Sequence, residues 1–140
     1  MNRMKRIIAI IVTIAVSVMV LFGCAAGSAA PAVSGGPAIT VHVTIDGSEA
    51  EGDGYHVGGR TDVVLSDGAS AYDALEAACE TLGYEIKGSP SYVKWIGELG
   101  EKAITSSSGW GFDINGDFPT VAADQCKLSD GDTLTWKFWR

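Results

Sequence analysis

From Ile39 the chain alternates: Ile39, Val41, Val43 and Ile45 are apolar, while Thr40, His42, Thr44 and Asp46 between them are polar. A period of two sustained over this stretch predicts a strand with one buried face, and Asp46-Gly47 marks the turn after it. The acidic, glycine-rich stretch 48–59 reads as a surface loop or irregular hairpin. Residues 62–66 read as a second short strand, its core positions drawn from Val63, Val64 and Leu65. The period then changes. Ala71, Leu75, Ala78 and Leu82 make one helical stripe, with Asp73, Glu76 and Glu80 on the opposite, solvated face. Ser70 is a suitable N-cap, Asp73 can close a capping box, and Gly83 stands where a helix ends. Cys79 borders the stripe and faces the core.

Short strands are expected at 84–87 and 92–96 around a Gly-Ser-Pro turn, followed by a loop over 97–108. Trp110, Phe112 and Ile114 alternate with Gly109, Gly111 and Asp113, which predicts a further strand. Asn115-Gly116 suits a tight hairpin turn with positive φ at both central residues, and Pro119 restricts the return strand to an edge or a stub. Asp130-Gly131 launches a last strand, Thr133 to Trp139, with Leu134, Trp136 and Phe138 on one face. Thr133, Thr135, Lys137 and Trp139 share its other face. Several strands and one convincing helix predict an α+β domain, a mixed sheet covered on one face by a helix.

The N-terminus obeys different rules. Arg3, Lys5 and Arg6 precede an unbroken apolar run from Ile7 to Phe22, the layout of a secretory signal peptide. The run closes with Leu21-Phe22-Gly23-Cys24, which resembles the lipobox of bacterial lipoproteins. That resemblance implies cleavage before Cys24, acylation of Cys24 and an extracytoplasmic protein anchored to the cell membrane by lipid. An uncleaved transmembrane anchor is the alternative, but spanning takes roughly 20 apolar residues and this run is shorter. Residues 25–38 are almost wholly Ala, Gly, Ser and Pro, the composition of a flexible tether. The expected organisation is therefore a signal peptide over 1–23, an acylated cysteine and tether over 24–38, and one domain over 39–140.

Charge and cysteines narrow the function classes. The formal charge is −7, and removal of Arg3, Lys5 and Arg6 takes it to −10. Such acidity argues against nucleic acid as a partner. Of three cysteines the lipid claims Cys24, which leaves Cys79 and Cys126 either as a disulfide, as an extracellular compartment permits, or as separate thiols. Catalytic material is sparse: His42 and His56 are the only histidines, and neither a nucleophile–base arrangement nor a metal-ligand spacing accompanies them. Glu49, Glu51 and Asp53 form at most a weak cation site and read better as a solvated loop. Asp113 to Asp117 has its glycine in the wrong place for a calcium loop. No enzyme, required cofactor or metal is expected.

The strand Gly109-Trp110-Gly111-Phe112-Asp113-Ile114-Asn115-Gly116, followed by Leu128-Ser129-Asp130-Gly131-Asp132-Thr133-Leu134-Thr135-Trp136-Lys137-Phe138, resembles the transcobalamin-like C-terminal domain family, DUF4430. Val64-Leu65 and Gly68-Ala69-Ser70-Ala71-Tyr72-Asp73-Ala74-Leu75 resemble its strand–turn–helix start. The resemblance implies a β-grasp-like fold and names cobalamin or another corrinoid as the candidate ligand of a non-enzymatic binding module. A protein-interaction or structural module of the cell surface is the alternative, working through an exposed sheet edge. Trp110, Phe112, Trp136 and Phe138 are assigned to the core. Trp139 falls on the opposite face with Lys137. There it either packs against a loop such as 97–108 or borders a flat shelf left bare by Gly109 and Gly111. A sheltered cavity beside Trp95 or Trp139 would favour a small ligand.

Overall fold

The computed structural model describes residues 36–140. The expected signal peptide, Cys24 as the expected lipidation site and most of the expected tether lie outside these residues. Two sheets and one helix make the α+β architecture. The first sheet runs β2-β1-β7-β6, from β1 (Ala38–Asp46), β2 (Gly58–Ser66), β6 (Gly109–Ile114) and β7 (Thr133–Trp139). The second runs β3-β4-β5, from β3 (Ile86–Ser89), β4 (Tyr92–Ile96) and β5 (Leu99–Gly100). A 3₁₀ turn, Ser48–Asp53, follows β1, and the helix α1 (Ala71–Leu82) follows β2.

β1 and β7 lie side by side in parallel at the centre of the first sheet, with β2 and β6 antiparallel on the flanks. That arrangement, a hairpin, a crossover helix and a last strand inserted beside the first, is the β-grasp-like order the resemblance implied. The alternation of β1 decides its faces: Ile39, Val41, Val43 and Ile45 are all buried. Leu134, Trp136 and Phe138 of β7 continue that inner face, and α1 covers it with Ala71, Ala74, Leu75, Ala78 and Cys79. The small residues on α1 let the helix approach the sheet closely. Full burial of each Leu, Ile or Phe contributes roughly 1.5–3 kcal/mol, so Phe138, Leu75 and Leu134, all fully buried, dominate this layer.

Every leading N–H of α1 has a partner, which fixes where the helix begins. The Ala71 N–H donates to the Cys126 carbonyl at 2.8 Å and the Tyr72 N–H to the Ala123 carbonyl at 3.2 Å. The capping box between Ser70 and Asp73 is complete, and Gly83 closes the other end in the left-handed conformation. One expectation yields here. Cys79 and Cys126 are free thiols, because Cys126 is tied to the first turn of α1 at Ala71. Cys79 lies eight residues further along the helix, roughly 12 Å of rise, whereas a disulfide needs Cα atoms within about 7 Å.

Three strand assignments also differ. The strand expected at 84–87 runs instead over Ile86–Ser89, where Gly88 and Ser89 pair with Val93 and Tyr92 of β4. The second strand begins at Gly58 because it pairs with β1 along its whole length, from Asp46↔Gly58 to Ala38↔Ser66. In the stretch expected to be a loop, Leu99–Gly100 adds β5 to β4, and Leu99 is fully buried beneath it.

Candidate functional site

β6 is the outermost strand of the first sheet. Asn115 and Gly116, with φ of 54° and 86°, turn the chain back on it, as the Asn-Gly pair predicts. The returning segment makes only the Ile114↔Asp117 bridge. Pro119 has no N–H to extend a ladder, so residues 118–123 leave the sheet. That departure opens a cleft of about 300 Å³ beside β6. Its walls are Trp110, Gly111 and Phe112 of β6, Trp136 of β7, Ser91, Tyr92 and Val93 of β4 and its turn, and Phe118, Pro119, Ala122 and Ala123 of the loop.

The aromatic rings are held by mutual packing. Phe112 stacks on Trp136 at 4.9 Å between centroids, and Trp110 meets Phe138 edge to face at 5.4 Å. The Trp110 Nε1–H donates to the Leu99 carbonyl at 2.9 Å. Trp136 is different: it is 2 % exposed, and its Nε1–H has no partner. Among the described residues only Asp124 Oδ1 shares that condition. A buried donor without an acceptor costs about 1–3 kcal/mol. None of the lining residues is charged. At the rim the Tyr92 hydroxyl donates to Glu101 Oε2 at 2.7 Å, and this carboxylate raises the Tyr92 phenol above its ordinary pKa.

The residues singled out in the sequence divide between two places. Gly109, Gly111, Lys137 and Trp139 do meet on the outer face of the β6–β7 pair, in the register Gly109↔Trp139 and Gly111↔Lys137. Trp139 is 42 % exposed but folds back across the shelf: a Cβ on Gly111 would stand 3.2 Å from its Nε1. Lys137 Nζ lies 4.5 Å from the centre of its ring, and Phe118 packs at 6.0 Å on another side. Trp95 sits apart on the second sheet, opposite Gly100, where a side chain at 100 would overlap its ring. Phe118 is 62 % exposed and links the shelf to the cleft, since it touches Trp139 and lines the cleft wall. Sequence patterning did not select Tyr92, Phe118 or the Trp136 N–H. Pro119 was the available signal, because a strand barred from returning must expose what precedes it.

The acidic 3₁₀ turn has a structural task. Glu49 pairs with Lys137 at 3.7 Å and Asp53 with Arg140 at 3.2 Å, so the turn clamps the end of β7. A broader hollow, about 500 Å³, lies on the outer sheet face around His42, Arg60, Asp62 and Thr135. It is larger than the cleft but more polar, and its histidine is already paired: His42 Nδ1 is 2.7 Å from Asp62 Oδ1, with both side chains at least half exposed. The cleft has the better claim to a small apolar ligand, since its lining is largely aromatic and carries no charge.

The family model described as a domain of unknown function, DUF4430, matches residues 68–140, just over half of the chain. The chain belongs to the DUF4430 family. The match begins at Gly68, so β1 and β2 precede it, while α1 and every residue lining the cleft fall inside it. Among solved structures, a candidate metal-binding protein from Ruminococcus gnavus ATCC 29149 matches at a TM-score of 0.53 and 16 % identity, covering 73 % of this chain and 97 % of that one. Haptocorrin in complex with cobinamide (Cbi) matches at a TM-score of 0.56 and 14 % identity, covering 74 % of this chain and 25 % of haptocorrin. At these identities the likeness is one of fold. No curated protein matches the sequence.

Proposed function

We propose that this DUF4430 protein is a non-enzymatic binding module, tethered outside the cytoplasm by a lipid on Cys24, that captures a small molecule in the cleft beside β6. One observation carries the reading: a cleft of about 300 Å³ opens beside β6, walled chiefly by the rings of Trp110, Phe112, Phe118 and Tyr92. Small-molecule sites are of this kind, largely apolar with a few placed polar groups, from about 300 Å³ upward. Corrinoids are the first class to test, supported by the fold shared with a protein that binds cobinamide. The chain spans a quarter of haptocorrin's length, so the cleft would take one part of a corrinoid rather than enclose it.

The anchor is supported by the basic start, the apolar run and the placement of Cys24. A cysteine carrying two or three acyl chains would hold the protein on a membrane, at about 0.8 kcal/mol per buried methylene. Mass spectrometry of the membrane-bound protein tests this: an acylated Cys24 at the mature N-terminus supports the tether, and an unmodified Cys24 or an intact leader overturns it. For the ligand, calorimetric titration of the chain from Ala25 with cobinamide and cobalamin is direct. That form keeps both sheets and the core. Saturable heat at micromolar or tighter supports corrinoid capture, and its absence removes corrinoids from the proposal.

A second reading, a surface protein-interaction module, draws on the outer edge of β6, which only the Ile114↔Asp117 bridge caps. An extended partner segment would add to that edge. Such a module would stay colourless on isolation, whereas a corrinoid carrier would bring visible absorbance with it.

A further inference from the structure

Main-chain hydrogen bonding marks out a short free edge beside the cleft. After β6 the Asn115 N–H donates inward to the Thr133 carbonyl at 2.8 Å. The Ile114 N–H and carbonyl point outward and are taken by Asp117, at 2.9 and 3.0 Å. Alternation along an antiparallel strand then sends the N–H and C=O of Phe112, Trp110 and Ser108 outward as well. Ser108, just before β6, is occupied: its N–H donates to the Thr105 carbonyl and its own carbonyl accepts the Lys102 N–H. Among the described residues nothing pairs with the outward main-chain groups of Trp110 and Phe112, because β7 holds only the other side of the strand. The free edge is therefore a window of two residues, closed by Asp117 at one end and by Lys102 and Thr105 at the other. It opens on the cleft, with Gly111 at its centre as part of the lining.

A window bounded in this way fixes the register of an added antiparallel strand. Its residues opposite Phe112 and Trp110 exchange main-chain hydrogen bonds, and their side chains fall on the same face as those rings, towards the cleft. The cleft is aromatic, uncharged and about 300 Å³ in volume, so both positions call for apolar side chains of moderate size. The residue between them lies over Gly111 on the outer face, where the Trp139 ring folds across, and must be small. The residue before them stands opposite Asp113, with Asp117 beyond it. Neither carboxylate has an ion pair among the described residues, and the chain carries a formal charge of −7. Charge complementarity selects Lys or Arg there and disfavours a second copy of this acidic chain.

We infer that the β6 edge receives an extended peptide segment of the pattern basic–apolar–small–apolar, added antiparallel with its two apolar side chains in the cleft. This rests on the interaction-module reading and names its partner by chemistry; it needs no corrinoid.

The probe is the peptide acetyl-Lys-Leu-Thr-Val-amide, titrated into the ¹⁵N-labelled chain from Ala25. The Trp110 and Phe112 main-chain amide signals should move downfield and saturate in the high micromolar to millimolar range expected of so short a segment. Gly111, paired with Lys137 on the other side of the strand, should move little. N-methylation of the peptide's Leu or Val removes a donor that the edge accepts and should weaken binding about ten-fold. N-methylation of Thr, whose N–H points away, should weaken it less than about two-fold. Replacing Lys with Glu should weaken it about two- to five-fold. Asp113→Asn, which keeps an acceptor for the Gly116 N–H, should narrow that difference. The decisive changes sit in the peptide, so the protein's folding is untouched. No shift at Trp110 or Phe112 overturns the inference together with the interaction reading at this edge. Equal shifts from acetyl-Glu-Ala-Thr-Ala-amide overturn the inference alone, since the edge would then take strands without the stated chemistry. Equal losses from all three N-methylated peptides overturn the register. Shifts of Trp110 and Phe112 that grow with protein concentration in the absence of peptide give the edge to a second copy and overturn the partner proposed.

Discussion

Replacing Ser70 with alanine tests how the helix, and through it the cleft, is positioned. The Ser70 hydroxyl accepts the Asp73 N–H at 3.2 Å and donates to Asp73 Oδ2 at 2.8 Å, and the same carboxylate oxygen accepts the Ser70 N–H at 2.8 Å. Loss of a serine cap costs about 0.5–2 kcal/mol. Ser70 is only 4 % exposed, so water cannot readily replace the hydroxyl, and the cost belongs in the upper half, about 1.5–2 kcal/mol. For a domain of this size that lowers the melting temperature by roughly 8 °C. The first two N–H groups of α1 remain bound to the Cys126 and Ala123 carbonyls. The helix therefore loses its cap without unravelling, and the urea m-value should not change. Asp73→Ala removes the reciprocal half of the box, so the double variant should lose about 0.5–1 kcal/mol less than the sum of the two singles. Urea unfolding followed by far-ultraviolet circular dichroism measures all three, and Ser70→Asn should restore most of the loss. A Ser70→Ala loss under about 0.5 kcal/mol, or strict additivity of the pair, would refute this account of the helix start.

Three further outcomes are expected. Phe118→Ala strips an exposed ring from the cleft wall and should weaken ligand binding on the order of ten-fold, while Trp139→Ala, one step removed, should weaken it less; a larger effect at Trp139 would move the site to the outer face. Gly100→Ala forces the Trp95 ring off β5, so that ring's fluorescence should shift and stability fall by about 1–3 kcal/mol; an unchanged spectrum would contradict the contact. Thiol titration of the unfolded, unreduced protein from Ala25 should find both Cys79 and Cys126 free, and complete blockage would contradict the separation set by α1. Burial pushes the Cys79 thiol up to about 12 from 9.0. Folding therefore favours the neutral thiol, and its contribution is complete below pH 9 and lost as the pH rises towards 12. The wild-type melting temperature should fall more steeply over that window than that of Cys79→Ala, and parallel curves would contradict it.

The strands and helix that bury one face were legible in the sequence because burial imposes a period. The alternation from Ile39 to Ile45 and from Leu134 to Phe138 and the stripe from Ala71 to Ala78 all became core. Local chemistry was as readable at Ser70, Gly83 and Asn115-Gly116, where the cap and turn geometries leave few choices of residue. What periodicity cannot encode is the meeting of distant segments. The full length of β2 comes from pairing with β1, and β5 exists only because Leu99–Gly100 lies along β4. The cleft is a meeting of the same kind. Tyr92, Phe118 and Trp136 come from three separate stretches of chain, and patterning alone saw Trp136 as another core ring. The orphaned state of its N–H is a property of packing in three dimensions. The outer shelf was anticipated from the glycines opposite Trp139, but not that Trp139 itself would fold over Gly111.

The central claim, a small ligand held beside β6, is tested most directly by titrating cobinamide into the ¹⁵N-tryptophan-labelled protein and following the four indole N–H signals. The account predicts a saturable shift centred on Trp136 and Trp110, with Trp95 unmoved. Shifts confined to Trp139 or Trp95 would contradict the placement of the site, and no shift at any of the four would contradict corrinoid capture itself.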